Sequence, residues 1–214
     1  MKKNFYLRIL SSIVLIPTTT FLIIAGNIYF NLFLLLTCCF SLKEWFDINY
    51  KKNFFIIGFL FIIFSFLNAF WLRNNDNGLL LFFFVIIICV SSDLGGYIFG
   101  SILKGPKLIS ISPNKTYSGV IGAYFFSIFS IYIFYKNYNI FDKNYLFDLN
   151  LFLIVFFISS ISQIGDLIIS YFKRRSNIKD TGKLIPGHGG ILDRIDGLIF
   201  SIPFFNILII LIDS

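Results

Sequence analysis

Seven runs of Ile, Leu, Val and Phe follow one another along this chain, and a chain with that pattern cannot fold around an ordinary water-soluble core. They cover residues 9–25, 28–42, 54–72, 79–103, 120–135, 151–172 and 198–212. In hydrocarbon every backbone polar group must find its partner inside the protein, so single apolar runs of this kind read as helices. The expected fold is therefore an all-α polytopic membrane protein of about seven transmembrane helices, with the second span short. Composition agrees: 57% of residues are hydrophobic and 14% charged, with a mean hydropathy of +0.83. At 214 residues one integral membrane domain is expected, residues 1–72 supplying N-terminal helices and 79–214 carrying the polar motifs. The first 27 residues have the basic start and apolar middle of a signal peptide. Their apolar part is long, however, and another apolar run follows at once, so a first spanning helix kinked at Pro17 is the expectation.

The net charge is +7. With this hydropathy the excess points to an anionic membrane surface and phosphate-bearing substrates; no nucleic acid partner is expected. Basic residues also set the orientation. Lys2, Lys3, Arg8, Lys43, Lys51, Lys52, Lys104, Lys107, Lys115, Lys173, Arg174, Arg175, Lys179, Lys183 and Arg194 fall on one side, and Arg73, Lys136 and Lys143 on the other. That places the N-terminus, and every polar motif below, in the cytoplasm of a bacterial-type cell with the chain in its inner membrane. Cys38, Cys39 and Cys89 lie inside apolar runs without metal-ligand spacing and read as buried thiols. The 30 phenylalanines read as lipid-facing filler.

Polar residues concentrate in three places. Asp93 lies in the apolar fourth run, where an acid at a helix centre costs roughly 2.5–3.5 kcal/mol on insertion scales. It is followed by Gly96 and Gly100, a small-xxx-small pair that admits a neighbouring helix, and a partner on that helix is the structural alternative for Asp93. Residues 104–119 carry Ser112, Lys115, Thr116 and Ser118 just ahead of the fifth helix. Hydroxyls, a lysine and unpaired amides at a helix N-terminus make a phosphate site.

The third place is 159–197. Ser159, Gln163, Asp166, Ser170 and Lys173 recur at three- and four-residue steps and line one helix face. That face either looks into a cavity, with Asp166 inside the membrane and Lys173 at the mouth, or forms an interhelical hydrogen-bond seam. Beyond it come Arg174, Arg175, Lys179, Asp180 and Lys183, then PGHGG at 186–190. Glycines flanking His188 allow backbone shapes whose amides cradle an anion. Asp193 and Asp196 share a face if their segment is helical, and carboxylates beside basic groups suit a divalent ion bridging phosphates. Together these parts point to phosphoryl or nucleotidyl transfer onto a lipid head group from a polar funnel on the cytoplasmic side. No Walker A sequence is present.

Residues 170–196 read S-x-x-K-R-x-x-x-x-K-D-x-G-x-x-I-P-x-H-G-G-I-x-D-R-I-D. This resembles the signature of the phosphatidate cytidylyltransferase (CDP-diacylglycerol synthase) family. Asp93 with 97–100, SPNKT at 112–116 with Gly119, and the opening RILSSIVLIP are similar to that family as well. The resemblance implies transfer of the cytidylyl group of CTP to phosphatidic acid, releasing pyrophosphate. It implies Asp166 and Asp193 as ligands of Mg²⁺, with a monovalent cation such as K⁺ beside it. Asp196 and His188 join them in the catalytic set, together with Lys173. Substrate contacts fall on Asp93, Ser112, Lys115, Thr116, Ser170, Arg174, Lys179, Asp180, Gly189, Gly190 and Arg194. His188 is expected to shape the phosphate loop, since a phosphate monoester is already a nucleophilic anion. A homodimer is expected from the resemblance alone. The chain departs from the family pattern at Ser118 and Ile169, where glutamate is usual, and at Gly197, where serine is usual. A CTP-dependent polyprenol- or phytol-type lipid kinase is the near alternative, and a membrane transporter the distant one.

Overall fold

The computed structural model describes residues 2–49, 54–75, 77–109, 112–137 and 149–213. Of the charges used for orientation, Lys51, Lys52 and Lys143 lie outside them. Seven helices are present among the described residues: α1 (Lys2–Ala25), α2 (Asn27–Asn49), α3 (Phe55–Asn74), α4 (Gly78–Leu103), α5 (Tyr117–Asn137), α6 (Leu149–Arg175) and α7 (Leu192–Asp213). Each is long and apolar enough to cross a membrane, so the chain is an all-α multi-pass membrane protein. α1 runs through Pro17 as one helix.

Three elements differ from the sequence expectation in ways that matter for function. The second span is not short, because α2 continues through Ser41–Lys43 to Asn49 and carries Glu44 on its last turns. The seventh helix starts at Leu192, six residues earlier than the apolar run that marks it, so Asp193 and Asp196 sit in its first two turns. Between α4 and α5 the expected loop contains a small antiparallel hairpin, β1 (Lys107–Ile109) with β2 (Ser112–Thr116), pairing Lys107 with Thr116.

α4 lies at the centre, packed on α3, α5, α6 and α7. Its contact with α5 is a glycine crossing. A methyl group at Gly95 would stand 2.3 Å from the Gly122 carbonyl oxygen, and one at Gly119 2.9 Å from that of Gly96. Only residues without side chains allow two helix backbones so close. The expected pair Gly96 and Gly100 does face α5, and Gly95 joins it. One end of the bundle is filled by Leu72, Phe82, Phe84, Val85, Ile131, Val155 and Phe205 in a single apolar cluster. Near the other end Trp45, Ile62, Ile169, Leu192 and Ile199 form a second cluster that joins α2, α3, α6 and α7. α1 stands apart, with only 6% of its span buried.

Candidate active site

Asp93 of α4, Ser112, Lys115 and Thr116 of β2, Asp166 of α6, and Asp193 and Asp196 of α7 all line one cavity of about 350 Å³. Residues as far apart in sequence as Asp93 and Asp196 are thus brought to a common space, which Ser92, Gly96, Tyr97, Gly119 and Gln163 line as well.

Each polar side chain is placed by its own local structure. Thr116 caps α5: its hydroxyl accepts from the Gly119 amide at 3.1 Å and meets Ser118 Oγ at 2.9 Å. Ser118 in turn donates to the Lys104 carbonyl, and the Tyr117 amide donates to the Pro106 carbonyl at 3.2 Å. Two of the first three amides of α5 are therefore used within the protein, and the expected open phosphate site at this helix end reduces mainly to the Lys115 ammonium. That ammonium lies 2.6 Å from Asp166 Oδ2 and donates to the Gln163 carbonyl at 3.3 Å, tying the hairpin to α6. Ser170 donates to Asp166 Oδ1 at 3.3 Å, and Asp196 touches the same carboxylate.

Both readings of the α6 stripe hold, each for part of it. Ser159 joins Ser92 and Ser127 at 3.2 Å each in a buried hydroxyl seam between α4, α5 and α6. One turn on, Gln163 and Asp166 face the cavity. Lys173, expected at an exposed mouth, is instead 9% exposed and donates to Asp193 Oδ1 at 2.8 Å.

The PGHGG turn departs most from expectation. The His188 and Gly189 amides both bond the Ile185 carbonyl, at 2.9 and 3.1 Å, so neither is free for a substrate anion. The Gly190 amide donates to Asp193 Oδ2 at 3.0 Å, and the Thr181 amide to the same oxygen at 2.7 Å. The anion held by this loop is the protein's own Asp193 carboxylate. Gly189 has φ +92°, and a Cβ there would stand 2.9 Å from Asp193 Oδ2, so glycine is required on both counts.

His188 is turned away from the cavity. Its Nδ1 lies 2.8 Å from Ser11 Oγ and its Nε2 3.4 Å from Ser12 Oγ, both on α1. Arg8 of α1 also donates to the Gly187 carbonyl at 2.7 Å. Burial, then the Arg194 and Arg8 guanidinium groups, hold the imidazole below the usual histidine range. An imidazole so placed ties the loop to α1 and is not among the residues that line the cavity. The Arg194 guanidinium donates to the His188 carbonyl at 3.2 and 2.5 Å. Arg174 caps the Ile178 carbonyl at 3.1 Å, and Lys179 and Asp180 are exposed on the connecting loop; none of these lines the cavity.

The three departures from the family pattern have separate settings. Ser118 shapes the hairpin junction as above. Ile169 is 4% exposed inside the second apolar cluster. Gly197 faces Ser162, whose hydroxyl would stand 2.3 Å from any Cβ at 197, so the space of a serine there is already filled.

Glu44 was missed by the sequence reading. It is 3% exposed, and its carboxylate accepts from the Ile191 and Leu192 amides at 2.9 Å each and from Thr181 Oγ1 at 2.8 Å. The signal available was an acid two residues past an apolar run, in LKEW.

Four carboxyl groups face the cavity, and two ammonium groups, Lys115 and Lys173, meet them. With all four ionised, two negative charges are left over. An all-oxygen donor set with that surplus suits a hard divalent cation. Among the described residues, no three His, Cys, Asp or Glu side chains are gathered as a ready metal cage. Mg²⁺ needs none, since one or two carboxylates with substrate phosphates and water commonly hold it.

Residues 49–212 match the model of the Cytidylyltransferase family. The chain is similar to the phosphatidate cytidylyltransferase of Rickettsia prowazekii (strain Madrid E), 36% identical over 210 residues, 95% of this chain and 91% of that protein. That of Rickettsia bellii (strain RML369-C) is 37% identical over 208 residues, 94% of this chain and 89% of that protein. That of Staphylococcus haemolyticus (strain JCSC1435) is 38% identical over 145 residues, 66% of this chain and 53% of that protein.

Proposed function

Because this chain belongs to the cytidylyltransferase family, we infer that it is a phosphatidate cytidylyltransferase, joining CTP and phosphatidic acid to give CDP-diacylglycerol and pyrophosphate. The observation that carries the reading is the meeting of Asp93, Lys115, Asp166, Asp193 and Asp196, from four separate elements, at one cavity in an otherwise apolar bundle. An oxygen of the phosphatidate phosphomonoester attacks the α-phosphorus of CTP in line. The bond from that phosphorus to the α–β bridging oxygen breaks, and its electron pair leaves with pyrophosphate. The attacking group is already an anion near neutral pH, so no side chain has to remove a proton, which agrees with His188 being turned to α1. What the reaction needs is position and charge neutralisation. Lys115 supplies an ammonium group lining the cavity and Lys173 one bonded to Asp193, and Asp166 and Asp193 hold those ammoniums in place until phosphates compete for them.

Mg²⁺ fits the donor set, with Asp166 and Asp193 as its ligands and Asp196 beside Asp166. When bound, it would neutralise phosphate charge and polarise a phosphoryl oxygen. A monovalent cation and a second copy of the chain belong to the same reading, tested by K⁺ titration of activity and by mass in detergent. The membrane is the bacterial inner membrane, with the N-terminus and the cavity cytoplasmic; the crowding of basic residues on that side supports this. Thiol labelling of Lys183→Cys from the cytoplasmic side alone is the expected outcome there, and labelling from outside would reverse the orientation.

The test of function is incubation of purified protein in detergent with phosphatidate, Mg²⁺ and each of the four ribonucleoside triphosphates. A lipid-linked nucleotide forms with CTP. Its absence with all four would remove the assignment.

A further inference from the structure

We propose that Glu44 of α2 is a positioning residue for the reaction: its buried carboxylate joins the first turn of α7 to the Thr181 turn and so fixes the direction of Asp193. The proposal deepens the reading above and rests on it. Glu44 is held on a rigid helix, next to Trp45, whose indole nitrogen donates to the Phe55 carbonyl at 3.0 Å and whose ring packs on Phe172. From there the carboxylate takes three donors: Ile191 N on Oε1, Leu192 N and Thr181 Oγ1 on Oε2. The two amides belong to the start of α7, where unpaired donors and the helix dipole favour an anion.

The same two turns hold Asp193. Thr181 gives its hydroxyl to Glu44 and its amide to Asp193. Gly190 gives its amide to Asp193, and a Cβ on it would stand 2.4 Å from Glu44 Oε2. Glu44 and Asp193 therefore grip one strip of backbone from opposite sides. All three bonds that Glu44 makes need an acceptor, and a carboxylate offers acceptors on both oxygens. Among the described residues no ion pair reaches this carboxylate, and a buried polar group supported by hydrogen-bond donors alone is costly to keep. Here its three donors lie at the turns that aim a carboxylate into the cavity.

The test uses the full chain in detergent with Glu44→Gln, Thr181→Val and Thr181→Ser. Glutamine keeps the shape but presents an NH₂ group to backbone amides. We expect kcat to fall roughly ten- to hundredfold, as for small misplacements of a reacting group. KM for CTP stays within about threefold, because charge at the cavity is unchanged. Hydrogen exchange at Ile191 and Leu192 rises while that of α4 and α5 does not. Thr181→Val lowers kcat in the same way, and Thr181→Ser, which retains the hydroxyl, restores it. Wild-type kcat in Glu44→Gln overturns the proposal. Faster exchange with kcat unchanged overturns it too, leaving Glu44 a structural staple. If Glu44→Gln fails to fold, full activity in Thr181→Val does the same. A wild-type protein that makes no lipid-linked nucleotide overturns the functional reading, and the exchange measurement then still decides whether Glu44 holds α7.

Discussion

Both oxygens of Asp193 are engaged, by Lys173, Thr181 and Gly190 at 2.7–3.0 Å. Asp193→Asn turns an NH₂ group toward one of those donors and removes the charge that Lys173 balances. Turnover should fall by about two to three orders of magnitude, the scale seen when one preorganised charge interaction is lost, while the protein still extracts and melts as a folded membrane protein. Near-normal formation of lipid-linked cytidine by this variant would take Asp193 out of the site. Lys115→Met removes the cation beside Asp166 and the bond from the hairpin to the Gln163 carbonyl; it should raise KM for CTP more than it lowers the melting temperature. An unchanged KM would put the triphosphate elsewhere. The carboxylates and lysines were legible in the sequence because acids in apolar runs are rare and stand out. Their partners were not. Nothing in PGHGG says that its amides serve Asp193 and Ile185, because that depends on loop closure over many residues. Lys173 reads as exposed from its place at the end of an apolar run, yet it is buried with its ammonium on Asp193 of α7.

Among the elements, α1 is fastened by polar contacts at its two ends. Arg8, Ser11 and Ser12 hold the loop at 186–188, and Arg73 of α3 donates to the Ile23 carbonyl at 3.0 Å. The imidazole of His188 is part of the first fastening, and its folded form prefers to be neutral. Stability from this contact is whole above the usual histidine pKa and is lost as pH falls through the lowered folded value, where the imidazolium would face Arg8 and Arg194. Protection of the loop amides against exchange, taken relative to the intrinsic rate at each pH, should therefore fall on acidification, and His188→Gln should flatten that dependence. The same pH dependence in both proteins would contradict it. The α4–α5 crossing offers a second check. A methyl at Gly122 would stand 2.4 Å from Phe99 Cβ and 2.6 Å from the Gly95 carbonyl. Gly122→Ala should cost about 1–3 kcal/mol as overpacking and shift Asp93 relative to the hairpin, read as a lower melting temperature with reduced turnover. A melt and turnover equal to wild type would mean the crossing is looser than drawn. Helix number and the spans follow from apolar length alone, so they were readable. The start of α7 was not, because Leu192–Gly197 mixes polar and apolar residues and the carboxylate that accepts from its first amides belongs to Glu44 of α2.

At the scale of the molecule, polar chemistry sits at one end and an apolar plug of Leu72, Phe82, Phe84 and Phe205 fills the other. That arrangement suits a reaction between a water-borne nucleotide and a lipid whose tails stay in the bilayer, and the apolar cluster at the far end is unlike the polar lining of an ion path. Chelation of divalent cations should abolish activity, with Mg²⁺ restoring it; activity that survives chelation would remove the ion from the account. The most direct measurement follows two labels in one reaction, CTP carrying tritium in the cytosine ring and ³²P at the γ position, with phosphatidate as acceptor. The account predicts tritium in the lipid product and the γ label wholly in released pyrophosphate. Lipid that carries the γ label and no cytosine would contradict it.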